Sequence, residues 1–224
     1  MRINDFSRQM GWFDPKSFNT PVHVIGAGAT GSQIVYQLVK MGVRDITVYD
    51  FDIIEEHNIA NQLYGIHDVG MYKVDALSKR LLSDTGVDIK TVNKKVDKTF
   101  KDQLEGIVFV LTDTMASRKE IYDHCLKHNP RVELVIETRM SIQFGRIYTF
   151  NPMIPKETLA YGRTLYDDDV AETSFCGSSL SIIPTAVGIS AFAVWGVIKH
   201  HLEQEQINEL LYDYTSGTSL ATTW

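Results

Sequence analysis

The residues best suited to chemistry are three glycines near the start of the chain and an aspartate that follows them. Residues 26–31 read GAGATG, with the spacing G-x-G-x-x-G, and Asp50 lies nineteen residues after Gly31. Glycines at this spacing let a nucleotide approach the backbone, and an aspartate that ends the next strand can hold ribose hydroxyls. The pattern predicts a nucleotide site at Gly26, Gly28, Gly31 and Asp50, with a purely structural turn as the alternative.

Further polar motifs after Asp50 narrow the class of nucleotide site. Three motifs carry this signal: residues 50–62 (DFDIIEEHNIANQ), residues 68–73 (DVGMYK) and residues 112–118 (TDTMASR). Their order resembles the ThiF/MoeB/HesA-type adenylyltransferases, the bacterial relatives of ubiquitin-activating enzymes. Residues 7–9 (SRQ) and residues 137–150 extend the resemblance over nearly the whole chain. A nicotinamide-dependent dehydrogenase would need the glycine turn and Asp50 but none of the later motifs.

The resemblance implies a reaction in which a carboxylate attacks the α-phosphate of ATP and forms an acyl-adenylate and pyrophosphate. Charge accumulates on the phosphates, so the site needs cations and a metal more than a base. By resemblance, Lys73 stabilises the phosphate charge, Asp113 holds Mg²⁺, and Arg8 reaches the phosphates of the partner subunit in a homodimer. The resemblance assigns the rest of the nucleotide pocket to Asp50, Asp52, Asn58, Asn61 and Gln62.

Structural alternatives stay open for several of these residues. Lys73 is also consistent with an ordinary solvated lysine, and Asp113 with a cap of the helix that follows it. Arg8 is also consistent with a surface residue on a loose terminus. Asp52 either contacts water or metal on the phosphate side or shapes its own loop.

Two features depart from the family pattern. Asn61 stands where relatives have an arginine that contacts the ATP phosphates, so about 1 to 3 kcal/mol of charge-assisted bonding is missing. This predicts slower adenylation, a compensating cation such as Arg139 or Arg163, or a protein that binds nucleotide without turnover. The two cysteines, Cys125 and Cys176, cannot form the paired C-x-x-C zinc site of many relatives, so we expect no structural zinc.

Cys176 lies eight residues before Pro184, the family spacing from the crossover-loop cysteine to the proline that precedes a buried helix. In relatives this thiol accepts the activated acyl group or forms a sulfur-transfer intermediate, which requires a partly exposed thiolate. The alternative is a small residue that packs at the start of the helix. Cys125 lies within an apolar helical pattern and is expected to pack there.

Periodicity predicts the elements that must position these residues. A strand at residues 22–25 leads into the glycine turn, a helix follows as far as Gly42, and residues 46–49 form the second strand. The other predicted strands are residues 87–92, 107–111, 134–136, 145–150 and 210–212, and the other helices are residues 74–82, 117–128 and 185–198. Together they predict an α/β, doubly wound, Rossmann-like, mostly parallel sheet with antiparallel extension strands.

The length of 224 residues suits one adenylation domain over residues 1–224. We expect a nucleotide-binding half at about 1–140 and a substrate-facing half with a crossover loop at about 141–224. No appended cysteine, ubiquitin-fold or rhodanese-like domain is expected. Residues 180–198 carry no charge, about the length of a membrane span, but Pro184 interrupts them and favours a helix buried on most sides.

Composition restricts the class of partner and the compartment. A hydrophobic fraction of 44% predicts a buried core, and a net charge of -6 argues against a nucleic-acid or anionic-membrane partner. The N-terminal sequence is polar and interrupted, so we expect no secretory leader and a cytoplasmic protein.

The sequence therefore predicts an ATP- and Mg²⁺-dependent adenylyltransferase, acting as a homodimer on the C-terminus of a small ubiquitin-like or sulfur-carrier protein or of a peptide. The sheet surface beyond the strand that ends at Phe150 would receive this substrate. The first alternative is a catalytically weakened nucleotide-binding scaffold or regulator, supported by Asn61. A tRNA-modifying dehydratase of the same superfamily and a nicotinamide-dependent dehydrogenase are further alternatives.

Overall fold

One mixed β-sheet organises residues 5–166 and 181–224, which the computed structural model describes. The strands are β1 Val22–Ile25, β2 Ile46–Tyr49, β3 Lys90–Val92, β4 Gly106–Val110, β5 Val132–Met140, β6 Phe144–Phe150, β7 Glu209–Asp213 and β8 Thr218–Thr222. Their order across the sheet is β3-β2-β1-β4-β5-β6-β7-β8. The first five in this order are parallel, and β6, β7 and β8 extend the sheet in antiparallel fashion.

Helices cover both faces of this sheet. The α-helices of the described residues are α1 Ala29–Met41, α2 Lys73–Thr85, α3 Met115–Ile121, α4 Pro155–Gly162 and α5 Ile183–His201. Helices α1, α2 and α5 share one buried apolar cluster with the sheet, and α3 and α4 share another. Strand residues of β1 and β4 alternate between the two clusters, as a sheet buried on both faces requires. The predicted doubly wound α/β fold with antiparallel extension strands is confirmed.

The strand order reverses between β1 and β4, which places a topological switch point there. In doubly wound sheets, ligands bind in the crevice outside the carboxyl ends of the strands at such a point. The glycine turn follows β1, Asp50 follows β2, and Asp113 follows β4. The fold therefore brings these three predicted parts of the site to one edge of the sheet.

Helix α5 combines a core face with an exposed apolar face. By length and composition it is the one helix among the described residues that could cross a membrane. Ile189, Ala193 and Val197 are buried in the core, whereas Trp195 is 48% exposed and packs edge-on against Trp12. The core position was predicted correctly, but burial on most sides was wrong because one face lies outside the core.

Several element bounds differ from those predicted. Helix α3 begins at Met115 rather than at Ser117, because the Thr114 side chain caps it. The chain then continues as a π-helical turn, Tyr122–Leu126. Helix α4 and the Thr- and Ser-rich strand β8 were not predicted. The division of the chain near residue 140 stays a prediction.

Candidate active site

The glycine turn joins β1 to α1 at the switch point. Gly26 has φ 102°, and a Cβ there would lie 2.7 Å from the carbonyl oxygen of Leu111, so the approach of β1 to the end of β4 requires glycine. A Cβ at Gly31 would overlap the carbonyl oxygen of Gly26. Gly28 caps α1, and a Cβ there would meet no described atom within 4 Å. The turn therefore leaves room for a phosphate at the N-terminus of α1.

Asp50 braces this turn from the end of β2. Its Oδ2 accepts a hydrogen bond from the Ala27 N–H at 2.7 Å, and its Oδ1 accepts one from the Asp52 N–H at 2.8 Å. Burial raises the pKa of Asp50, while the Lys73 charge and these two N–H groups oppose the rise. Each carboxylate oxygen keeps a further lone pair, so Asp50 can also accept a ribose hydroxyl.

Lys73 begins α2 and is held against Asp52. Its Nζ lies 2.6 Å from Asp52 Oδ2, and its backbone N–H donates to the Asp52 carbonyl at 3.0 Å. Lys73 is only 7% exposed, whereas the side chain of Asp52 is about half exposed. The alternative of an ordinary solvated lysine is therefore wrong. The ammonium group is fixed beside the carboxylate, where it can also contact a phosphate.

In the segment after β2, one asparagine closes a turn, and two buried side-chain oxygens have no hydrogen-bond donor among the described residues. Asn58 is buried, and its Oδ1 accepts from the Glu55 N–H at 2.9 Å, which closes a 3₁₀ turn. Asn61 donates from Nδ2 to the Ser181 hydroxyl. Within the described residues, Asn61 Oδ1 and Gln62 Oε1 are buried without a hydrogen-bond partner. Buried acceptors without donors are costly, so Asn61 and Gln62 fit a ligand that brings donors, as ATP does.

Asp113 lies exposed, three residues after the end of β4. Thr114 rather than Asp113 caps α3, because the Thr114 hydroxyl oxygen accepts from the Ser117 N–H at 3.2 Å. The helix-cap alternative for Asp113 is therefore wrong. No group of three metal-ligating side chains occurs among the described residues. Mg²⁺ commonly binds through one or two carboxylates plus substrate phosphates, so a single Asp113 remains compatible with a metal that arrives with ATP.

A buried charge cluster at the carboxyl end of β5 was not predicted. Glu137 is fully buried and accepts hydrogen bonds from Arg118, Arg139 and Tyr161. The available signal was the presence of three charged residues, Glu133, Glu137 and Arg139, within the strand sequence VELVIETRM. All three guanidinium nitrogens of Arg139 donate to Glu137 or Thr164. The structure therefore does not support the expectation that Arg139 supplies the charge that is missing at Asn61.

Arg8 does not join the site of its own protomer. It lines a surface hollow with Lys40 and Asp84, near the C-terminal ends of α1 and α2. Lys73 begins α2 and Asp84 lies eleven residues later, about 16 Å along the helix. The role of Arg8 across a dimer stays a prediction.

Only one of the two cysteines, Cys125, lies among the described residues. Cys176 lies outside the described residues, so its proposed thiol chemistry stays a prediction. Cys125 is half-buried in the π-helical turn, where burial raises the pKa of its thiol to about 11. This fits the predicted packing role, because a raised pKa keeps the thiol protonated near neutral pH.

A doubly wound sheet with a glycine turn, an aspartate after β2 and a buried lysine at the switch point defines a nucleotide-binding α/β protein. The profile of the ThiF family matches residues 12–219. The chain belongs to the ThiF family.

Named relatives agree with this assignment. The chain is 26% identical to a probable molybdopterin-synthase adenylyltransferase of Porphyra purpurea over 174 residues, 73% of this chain and 44% of that protein. It is 28% identical to ubiquitin-like modifier-activating enzyme 5 of Bombyx mori over 215 residues, 85% of this chain and 53% of that protein. The chain thus spans about half the length of these curated relatives.

The fold is shared with solved structures. A crystal structure of E. coli MccB with AMPCPP and selenomethionine MccA superposes with a TM-score of 0.72 at 16% identity. The similarity covers 93% of this chain and 65% of that chain. At this identity the similarity supports the fold alone.

Proposed function

We propose that this chain is an ATP- and Mg²⁺-dependent adenylyltransferase that activates a carboxylate as an acyl-adenylate. The observation that carries the proposal is the meeting of the glycine turn, Asp50, Lys73 and Asp113 at the switch point. The names of the adenylyltransferase and activating-enzyme relatives support the same reaction. A dehydrogenase site would not require Lys73 to be buried against Asp52 or an acidic residue after β4.

The proposal assigns a role in binding or catalysis to each residue of the site. Asp50 binds the ribose, and the turn at Gly28 receives phosphate at the N-terminus of α1. Lys73 stabilises the charge that develops on the phosphates as the carboxylate attacks. Asp113 holds Mg²⁺, which supplies charge neutralisation to the phosphates when it is bound. Gln62 Oε1, buried without a described partner, accepts a hydrogen bond from the nucleotide.

The substrate that we propose is the C-terminal carboxylate of a small ubiquitin-like or sulfur-carrier protein, or of a peptide. The names of the relatives support this substrate class. The antiparallel extension of the sheet offers a surface for it, because β8 is exposed along its whole length. A cytoplasmic homodimer that places Arg8 in the site of the partner subunit completes the proposal.

The test begins with co-purification of the tagged chain and mass spectrometry of any small protein or peptide that binds. ATP–pyrophosphate exchange is then measured with that carboxylate substrate. We expect exchange that depends on ATP, Mg²⁺ and the free C-terminus, and its loss in Lys73→Ala and Asp113→Ala. Exchange that survives both substitutions would contradict the site assignment. Tight NAD binding without ATP binding in calorimetry would contradict the reaction itself.

Asn61 favours a second candidate function, a nucleotide-binding scaffold or regulator with weakened catalysis. The asparagine carries no charge, and its amide already donates to Ser181. The same assay separates the two functions. A scaffold would bind MgATP and its partner tightly but give no exchange.

A further inference from the structure

The buried charge cluster formed by Arg118, Glu137, Arg139 and Tyr161, here called the Glu137 cluster, has no role among those assigned above to the residues of the site. Glu137 accepts from Arg139 Nε at 2.5 Å and from Arg139 Nη2 at 3.1 Å, and also from Arg118 and from the Tyr161 hydroxyl. Burial alone would raise the pKa of Glu137, but the two guanidinium charges outweigh it and lower the pKa. The carboxylate is therefore ionised and holds two cations together.

Arg118 connects this cluster to the catalytic edge of the sheet. Its Nη2 donates to the carbonyl of Thr112, the residue before Asp113, and its Nη1 donates to the carbonyl of Thr138 at 2.9 Å. The Thr138 hydroxyl in turn lies 3.2 Å from the hydroxyl of Thr30, in the first turn of α1. One guanidinium thus ties the Asp113 turn to β5, and β5 contacts the helix that follows the glycine turn.

Arg139 connects the cluster to the segment that follows α4. Its Nη1 donates to the Thr164 carbonyl at 2.7 Å, and its Nη2 donates to the Thr164 hydroxyl at 3.0 Å. The guanidinium also lies over the Tyr148 ring, 4.4 Å from its centroid. Thr164 follows α4, whose Tyr161 is itself bound to Glu137. The end of α4 is therefore fixed to the same carboxylate as the Asp113 turn.

We propose that Glu137 is a positioning residue that holds the Asp113 turn, the start of α1 and the end of α4 in one arrangement. This inference rests on the proposed function, since it assigns Glu137 to the site of that reaction. Loss of the carboxylate charge leaves two guanidiniums side by side in a buried position, where they repel each other. The contacts to Thr112 and Thr164 then loosen together.

The test compares four variants of the full chain with the wild type. Glu137→Gln removes the charge and keeps the shape, whereas Tyr161→Phe removes one hydrogen bond and serves as a mild variant. Glu137→Gln combined with Arg139→Gln restores the wild-type net charge of the cluster. Asn208→Ala is the matched control, because Asn208 is buried and its hydrogen bonds, to Thr149 and Trp224, do not involve the cluster.

Hydrogen–deuterium exchange and MgATP calorimetry supply the readouts, at a temperature where every variant is folded. For Glu137→Gln we expect faster exchange at residues 112–118 and 162–166 together, and MgATP binding about 10-fold weaker. Tyr161→Phe should shift the same segments less, and Asn208→Ala should leave both unchanged. The double variant should recover the unfolding temperature without recovering slow exchange at residues 162–166.

Two results would overturn the positioning role. One is that Glu137→Gln matches Asn208→Ala in exchange and MgATP binding at equal loss of stability. The other is that the double variant recovers slow exchange, MgATP binding and the unfolding temperature together. Failure of the wild type to bind MgATP would instead contradict the proposed function, and the exchange data would still decide whether Glu137 fixes the two segments.

Discussion

Lys73 is the residue whose burial most directly supports a role in phosphate chemistry. A lysine that is 7% exposed has lost most of its hydration, so its charge interacts more strongly with a nearby anion than a surface lysine does. We expect Lys73→Ala to weaken MgATP binding about 10- to 100-fold, the range for loss of a charge-assisted hydrogen bond. Calorimetry measures this. Lys79→Ala, at an exposed position of the same helix, is the control and should bind as the wild type does.

Asn61 allows a test in which a substitution is expected to raise activity rather than lower it. If the missing arginine charge limits the reaction, Asn61→Arg should raise the rate of ATP–pyrophosphate exchange about 10-fold, because it restores a charge-assisted contact to the phosphates. Ser181→Ala is the matched control, since it removes the described contact of Asn61 without adding charge. An increase in both variants would show that release of Asn61 matters rather than the cation. No increase in Asn61→Arg would favour the scaffold function.

At the scale of elements, two glycines of the turn between β1 and α1 have different roles. The fold requires Gly31, whereas Gly28 leaves space for the ligand. A Cβ at Gly28 meets open space, whereas a Cβ at Gly31 overlaps the backbone of Gly26. We expect Gly28→Ala to leave the unfolding temperature nearly unchanged and to weaken MgATP binding about 10-fold, because the methyl group occupies the space for phosphate. Gly31→Ala should lower the unfolding temperature itself. Thermal unfolding with and without MgATP measures both effects, and equal behaviour of the two variants would contradict this division.

Elements with a strong apolar period could be predicted from the sequence, and elements held by other forces could not. Strands β1 and β4 and helix α1 carry regular apolar patterns, and their positions were predicted closely. Helix α4 is short, and its buried Tyr161 is fixed by a hydrogen bond to Glu137, a contact that periodicity does not contain. Strand β8 pairs along β7 with exposed Thr and Ser side chains, so no apolar alternation marks it.

For the candidate site, the sequence indicated which residues to consider but not the contacts between them. Glycine spacing and strand order indicated Asp50, whereas the family resemblance assigned Lys73 and Asp113. Asp50 and Asp113 follow parallel strands, whose carboxyl ends meet at one edge of a sheet. The sequence could not show whether Lys73 is buried, since its contact with Asp52 depends on packing between segments 21 residues apart. Glu137 was missed for the same reason. Two of its three partners are 19 residues away at Arg118 and 24 residues away at Tyr161, and only the folded chain brings them together.

At the scale of the whole molecule, the position of Arg8 bears on how many chains form one site. Arg8 lies near the C-terminal end of α2, whereas Lys73 lies at its beginning, so Arg8 can serve the reaction only in the site of another protomer. The proposed homodimer predicts complementation between inactive variants. Arg8→Ala and Lys73→Ala should each lose exchange activity alone. In a mixed dimer, the subunit with intact Lys73 receives Arg8 from its partner and is active.

Random reassociation of equal amounts makes half of the dimers mixed, each with one complete site, so about a quarter of the wild-type exchange activity should return. The measurement is ATP–pyrophosphate exchange after the two variants are mixed, with the oligomeric state followed by light scattering. Mixtures of Lys73→Ala with Asp113→Ala provide the control, because both residues belong to the same protomer's site and each mixed dimer receives no complete set. Recovery in that control, or no recovery with Arg8→Ala, would exclude Arg8 from a shared site.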